Sequence, residues 1–237
     1  MIGGPTELGY FLITAVFLVP AAAIAIPVHE IGHGLAAYWM GDPSPRNRGF
    51  LRPTLRPFIE PWGALAILLF NVGWGQPIPV NEYRLTTTGR KIAYAAGGPL
   101  ANLLVALVFG VALRLIVDAG VIPNPIVPSP LGLLGWAVYA IFFLNLSFAV
   151  FNILPFPGLD GWRIVEALFR SRNARFFFDV DMRRREIYGI TMLVVVLASF
   201  LLRISLIALV MAPLFQPLSA LLIGQCARYT SLAPCLL

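Results

Sequence analysis

The sequence predicts an all-α polytopic membrane protein, with about four to six membrane helices and a re-entrant or strand-like membrane-associated loop. Three observations carry that prediction. Of the 237 residues, 59% are hydrophobic and only 12% charged, with a mean hydropathy of +0.83. Soluble globular domains sit near 45–50% apolar and ~25% charged, so there are too few charges here to coat a globule. The apolar residues gather in runs, several close to the roughly 20 residues that cross a bilayer core. Arginines crowd some of the intervening segments and are missing from others, the asymmetry that orients membrane proteins. The net charge of +6, nearly all arginine with Lys91 the single lysine, therefore reads as topology and lipid contact, not as nucleic-acid binding.

The runs, in order, are Leu8 to about Met40, Pro61 to Val72, Ile92 to Val117, Leu131 to Leu154 and Ile187 to Ala212, with a softer one from Leu214 to Ile223. Polar or Pro/Gly-rich breaks separate them. No internal repeat interrupts this order, which points to a single integral-membrane domain over residues 1–237. The first run lacks a basic leader and outlasts a signal-peptide core, so it is expected to be retained. Cys226 and Cys235 have no metal-ligand spacing to any other residue and read as unrelated thiols, the alternative being a tail disulfide if that end faces an oxidising compartment.

Arginine placement assigns sides. Arg46, Arg48, Arg52 and Arg56 follow the first run; Arg84, Arg90 and Lys91 precede the third; Arg163 to Arg185 holds seven more before the fifth. Residues 119–130 carry no charge. The basic segments are thus expected in the cytoplasm and the N-terminus outside. Pro61 to Val72 has basic flanks on both ends and, at about 18 Å as a helix, is too short to span. It is expected to enter and leave on one side, with Gly73 to Val80 as its non-helical return. Such backbone is tolerated at membrane depth only beside protein or a wet cavity.

Within the first run stands His29-Glu30-Ile31-Gly32-His33. Residues four apart share a helix face, so both imidazoles can bind one zinc while Glu30 reaches a metal-bound water. Both histidines of the chain lie in this motif. A charged Glu30 inside a membrane run is costly, which makes it a functional residue by default. A catalytic zinc needs a third protein ligand and an open position. Glu7 and Asp118 fall on the outer side. Asp160 follows the fourth run on the cytoplasmic side, as does the His29 end of the first, so Asp160 is expected to be the third ligand. Its competing role is as N-cap of a helix starting near Gly161.

The motif His29-Glu30-Ile31-Gly32-His33, followed by Asn-x-x-Pro-x-x-x-x-Asp-Gly from Asn152 to Gly161, resembles the site-2 protease family of intramembrane zinc metalloproteases. Gly97-Gly98-Pro99-Leu100-Ala101-Asn102 is similar to that family's Gly-Pro-x-x-Asn segment. Gly73 to Asn81 is similar to the membrane-associated loop of its short prokaryotic members, which lack PDZ or CBS domains. The resemblance implies one Zn²⁺ per chain held by His29, His33 and Asp160, with Glu30 as general base. It places Asn102 and Asn152 near the metal, where either could hold a substrate carbonyl or steady an oxyanion, or simply bridge helices. Two departures stand out: Gln76 replaces a basic residue common at that position, and Arg56 to Pro61 lacks the histidine often found there.

The reaction so implied is hydrolysis of peptide bonds in or near transmembrane segments of single-span or other membrane-protein substrates, in a prokaryotic plasma membrane, with the active site toward the cytoplasm. Gly73 to Val80 offers a strand-like surface for an unwound substrate. The rival readings are a membrane zinc transporter, for which repeats and a path of further ligands are missing, and a catalytically silent relative acting as a scaffold, against which the intact Glu30 argues.

Overall fold

The computed structural model describes residues 5–51, 75–121 and 130–224. Helix α1 runs over Pro5–Trp39, and a short α2 over Ser44–Asn47. A 3-10 turn at Glu82–Arg84 leads into α3, Thr88–Asp118, and then α4 covers Pro130–Asn152. Two short helices follow, α5 over Asp160–Phe169 and α6 over Ala174–Met182. The long α7, Arg184–Leu202, and α8, Leu206–Ile223, complete the described residues. Five of these helices are long and apolar enough to cross a membrane: Val16–Trp39 of α1, α3, Leu131–Asn152 of α4, α7 and α8. No strand occurs among the described residues. The expected short element at Pro61 to Val72 and the two cysteines lie outside the described residues.

The first, third and fourth apolar runs become α1, α3 and α4 with ends close to those expected. The last two are partitioned differently. The break falls at Arg203–Ser205, ten residues before the Ala212/Leu214 boundary expected from sequence. Arg203 takes a left-handed conformation (φ 55°) and ends α7, while the Ser205 side chain accepts the backbone N–H of Ala208 at 3.2 Å and starts α8. Pro213, at the expected boundary, lies within α8, as does Pro217. A charge and a capping hydroxyl outweigh the two prolines, whose lost hydrogen bonds are tolerated where packing compensates.

Helices α1, α3 and α4 form the centre, with α8 closing one side. Lipid tails are as apolar as the helix surfaces, so close packing, not water exclusion, holds such helices together. Small residues supply it. Gly32 of α1 faces Gly97 of α3, and a Cβ on Gly97 would stand 2.6 Å from the Gly32 carbonyl oxygen and 2.8 Å from Ala36 Cβ. The backbones therefore touch there, level with the histidine motif. Farther along, Leu18, Ala21 and Ala25 of α1 pack with Ala106 and Leu113 of α3, Phe142, Phe143 and Leu146 of α4, and Met211 and Ile223 of α8. Helix α7 has no buried residue; Ile190, Leu193, Leu197 and Phe200 point outward, as befits a lipid-facing helix.

Candidate metal centre

His29 and His33 are buried on one face of α1, four residues apart. Beneath their rings α3 presents Gly98, where a Cβ would lie 2.7 Å from His29 Cε1 and 2.8 Å from His33 Cδ2. Any side chain at 98 would push the imidazoles aside, so the glycine makes room for the site itself. Pro99 then removes the helical donor to the Ala95 carbonyl in the turn beside Tyr94. Asp160 arrives from α5. It is the first residue of that helix; Leu159 occupies the N-cap position and makes no side-chain cap bond. The carboxylate is thus free of capping and turns toward the histidines.

The three side chains converge. His29 Nε2 and His33 Nε2 each lie 3.1 Å from Asp160 Oδ2, and 3.1 Å from one another. The hydrogen-bond network fixes where the imidazole protons sit. The Asn102 amide nitrogen donates to the Ala25 carbonyl at 2.9 Å and to Asn145 Oδ1 at 2.8 Å; the Asn145 nitrogen donates to the Ile141 carbonyl at 2.8 Å. Because the Ala25 and Ile141 carbonyls can only accept, both amide orientations are settled. Asn102 Oδ1 therefore accepts from His29 Nδ1–H at 2.8 Å, and the Tyr94 carbonyl accepts from His33 Nδ1–H at 2.8 Å. With each neutral ring protonated at Nδ1, both Nε2 atoms carry bare lone pairs. In that neutral state three electron-rich atoms face each other at 3.1 Å. A cation at their centre relieves that repulsion, and tetrahedral zinc ligands at 2.0–2.1 Å stand about 3.3 Å apart. The donor set fits zinc.

Glu30 follows His29 along α1, lining the same cavity as the three convergent residues, and its Oε2 accepts the backbone N–H of Ile78 at 2.9 Å. Residues 75–80 have no regular secondary structure. The segment is tied again at its end, where Asn81 N–H donates to Asp42 Oδ2 at 2.7 Å. Burial alone would raise the Asp42 carboxyl; the Ser44 hydroxyl, the backbone N–H groups of Asn81 and Ser44 and the nearby Arg84 charge hold it below its ordinary value. The cavity measures about 490 Å³ and runs from the metal-site residues past Phe148 and Asn152 of α4 to Ala208, Met211 and Phe215 of α8.

The sequence reading thus meets the structure unevenly. His29, His33 and Asp160 come together, with Glu30 adjacent. Asn152 lines the cavity, with one amide N–H spent on the Phe148 carbonyl of its own helix at 3.0 Å. Of the roles left open for Asn102, the structure shows it bridging helices: it is fully buried, both its donors are committed inside the protein, and its oxygen accepts from His29. Ile78, expected on an edge open to substrate, already spends its N–H on Glu30. The Tyr94 carbonyl, Asn145 and the Ile78 N–H escaped the sequence reading, since backbone groups leave no signature and Asn145 sits in an apolar run without a motif.

Five membrane-length helices around a buried His-x-x-x-His pair, an adjacent glutamate and a converging aspartate define the class: a membrane-embedded metal-dependent hydrolase. Comparison with known proteins gives the family. The sequence profile described as peptidase family M50 matches residues 131–209, the stretch that carries Asp160. The chain is 34% identical over 157 residues to YwhC of Bacillus subtilis, provisionally named a zinc metalloprotease, covering 64% of this chain and 68% of that protein. It is 30% identical over 167 residues to Rip2 of Mycobacterium tuberculosis and 27% identical over 168 to Rip2 of Mycolicibacterium smegmatis, both provisionally named zinc metalloproteases. Each of these alignments covers 68% of this chain and 60% of the Rip2 protein. No solved structure matches. The chain belongs to peptidase family M50, the site-2-type zinc metalloproteases.

Proposed function

We propose that this chain hydrolyses peptide bonds in or near transmembrane segments of membrane-protein substrates, using one zinc per chain held by His29, His33 and Asp160 and Glu30 as general base. The observation that carries the reading is the convergence of two imidazole nitrogens and a carboxylate oxygen, with a second carboxylate beside them at the wall of a cavity between membrane helices. Bound zinc would supply a Lewis acid that polarises the scissile carbonyl and acidifies water. The chain's own residues do the rest. Asn102 and the Tyr94 carbonyl hold the imidazoles with Nε2 inward. Glu30 keeps Oε2 on the Ile78 N–H and takes the proton of the attacking water at its other oxygen, later passing it to the leaving amine. Asn152, with one amide N–H uncommitted, faces the cavity as the remaining asparagine suited to a substrate carbonyl. The apolar wall from α4 to α8 suits an unwound stretch of a substrate membrane segment.

A transporter would need ligands along a path; among the described residues one cluster of potential ligands occurs, His29, His33 and Asp160. The test is direct. The purified chain, reconstituted with single-span membrane proteins, is expected to cleave at least one of them, to stop when a chelator removes zinc and to resume when zinc returns. Cleavage indifferent to chelation would sink the metal mechanism.

The orientation we propose puts the N-terminus outside and the metal site toward the cytoplasmic face of a prokaryotic plasma membrane. It follows from the arginines before α3 and between α4 and α7, and the α7–α8 break then puts Arg203 outside. Single cysteines at Thr87 and Arg172 are expected to react with impermeant reagent from the cytoplasm only, and one at Arg203 from outside only. Labelling of Thr87 from outside would invert the arrangement of α3.

A further inference from the structure

One turn beyond Asp160 on α5, Arg163 lines the cavity beside the metal-site residues. Its Nη1 donates to the Tyr94 hydroxyl at 3.1 Å and to Glu82 Oε1 at 3.0 Å. The guanidinium carbon lies over the Tyr94 ring, 5.4 Å from its centroid. Tyr94 is also the residue whose carbonyl holds His33 Nδ1, and its ring stands 5.2 Å from that imidazole. One side chain therefore joins the helix that bears Asp160 to the turn of α3 that orients His33. The hydrolytic mechanism uses neither Arg163 nor the Tyr94 hydroxyl nor Glu82.

The joint answers a mechanical need. Asp160 reaches the histidines from the start of a ten-residue helix, entered through the break at 153–159. The two imidazoles are fixed by bonds between α1 and α3; α5 packs on α3, and Arg163 adds a polar tie between those two helices. A movement of α5 by about 1 Å would open the 3.1 Å triangle beyond ligand distance. A guanidinium suits the task because its planar fork can stack on a ring and donate in the same plane. Positions three apart share a helix face, so Arg163 points the same way as the carboxylate it steadies.

We propose that Arg163 is a positioning residue that, through Tyr94 and Glu82, locks α5 onto α3 and sets the distance of the Asp160 carboxylate from His29 and His33. The proposal rests on the zinc reading above. Its test uses the full chain purified in detergent, with circular dichroism for folding, zinc competition against a chromophoric chelator, and visible absorption after cobalt substitution. Arg163→Met is expected to weaken zinc binding about tenfold or more, the range seen when a group that orients a ligand is lost, and to alter the cobalt bands. Arg163→Lys keeps a cation for Glu82 but loses the planar group over the Tyr94 ring, and is expected to recover part of the affinity. Tyr94→Phe keeps the ring and the carbonyl to His33, and is expected to lose several-fold. Should Arg163→Met fail to fold, the other two variants carry the test. Unchanged zinc affinity and cobalt spectra in both Arg163→Lys and Tyr94→Phe overturn the proposal, and a loss of cleavage in them would then assign Arg163 to substrate contact. An unaltered chain that binds no zinc overturns the metal reading itself, an outcome distinct from zinc bound equally by all variants.

Discussion

Glu30→Gln is expected to keep its full complement of zinc while peptide hydrolysis falls about a thousandfold, within the range that positioned general bases contribute. The substitution preserves shape, and the new amide oxygen can still accept the Ile78 N–H that Glu30 Oε2 now receives at 2.9 Å. The other oxygen becomes an NH₂ group, which cannot take a proton from water. None of the three convergent donor atoms is touched. Zinc content by elemental analysis and cleavage of a reconstituted substrate separate the two effects. Cleavage within tenfold of the unaltered chain would move the proton-accepting role elsewhere, and zinc-dependent uptake by this variant would favour a transporter.

Substitution of Asp160 is expected to remove the metal. Asp160→Ala leaves two imidazole nitrogens where a catalytic zinc needs three protein ligands. The loss of affinity should exceed the ten- to hundredfold cost of losing a group that only orients a ligand. Helix α5 should survive, because the Asp160 side chain makes no capping bond. Asp160→Asn sharpens the distinction from the capping role. Asparagine caps helices about as well as aspartate, so a capping residue would tolerate it, whereas a zinc ligand would lose its charge and much of its affinity. Zinc retained in Asp160→Asn with normal cleavage would return Asp160 to the helix terminus.

The parts of this protein legible in sequence share a physical trait: their signal is local. Membrane helices announce themselves because each must satisfy its backbone within itself and show an apolar surface to lipid over ~20 residues. His29, Glu30 and His33 were legible because one helical turn brings their positions together without help from the rest of the chain. Asp160, 127 residues after His33, needed a depth argument from the arginine pattern and a resemblance. The α7–α8 boundary was missed because apolar composition continues through it, and the deciding features, Arg203 in a left-handed conformation and the Ser205 cap, are conformational.

Sequence by itself determined that the chain lives in a membrane, where the long helices of its first, third and fourth apolar runs lie, and which residue types could hold a metal, since hydropathy and helical period are properties of single segments. Tertiary structure decided which donors meet and what the asparagines do. Asn102 bridges helices and orients His29 because Ala25 and Asn145, from two other helices, consume its donors. Gly98 is needed because two imidazoles from α1 press against it. Those outcomes depend on how helices far apart in sequence are pressed together, and no local pattern of residues records that.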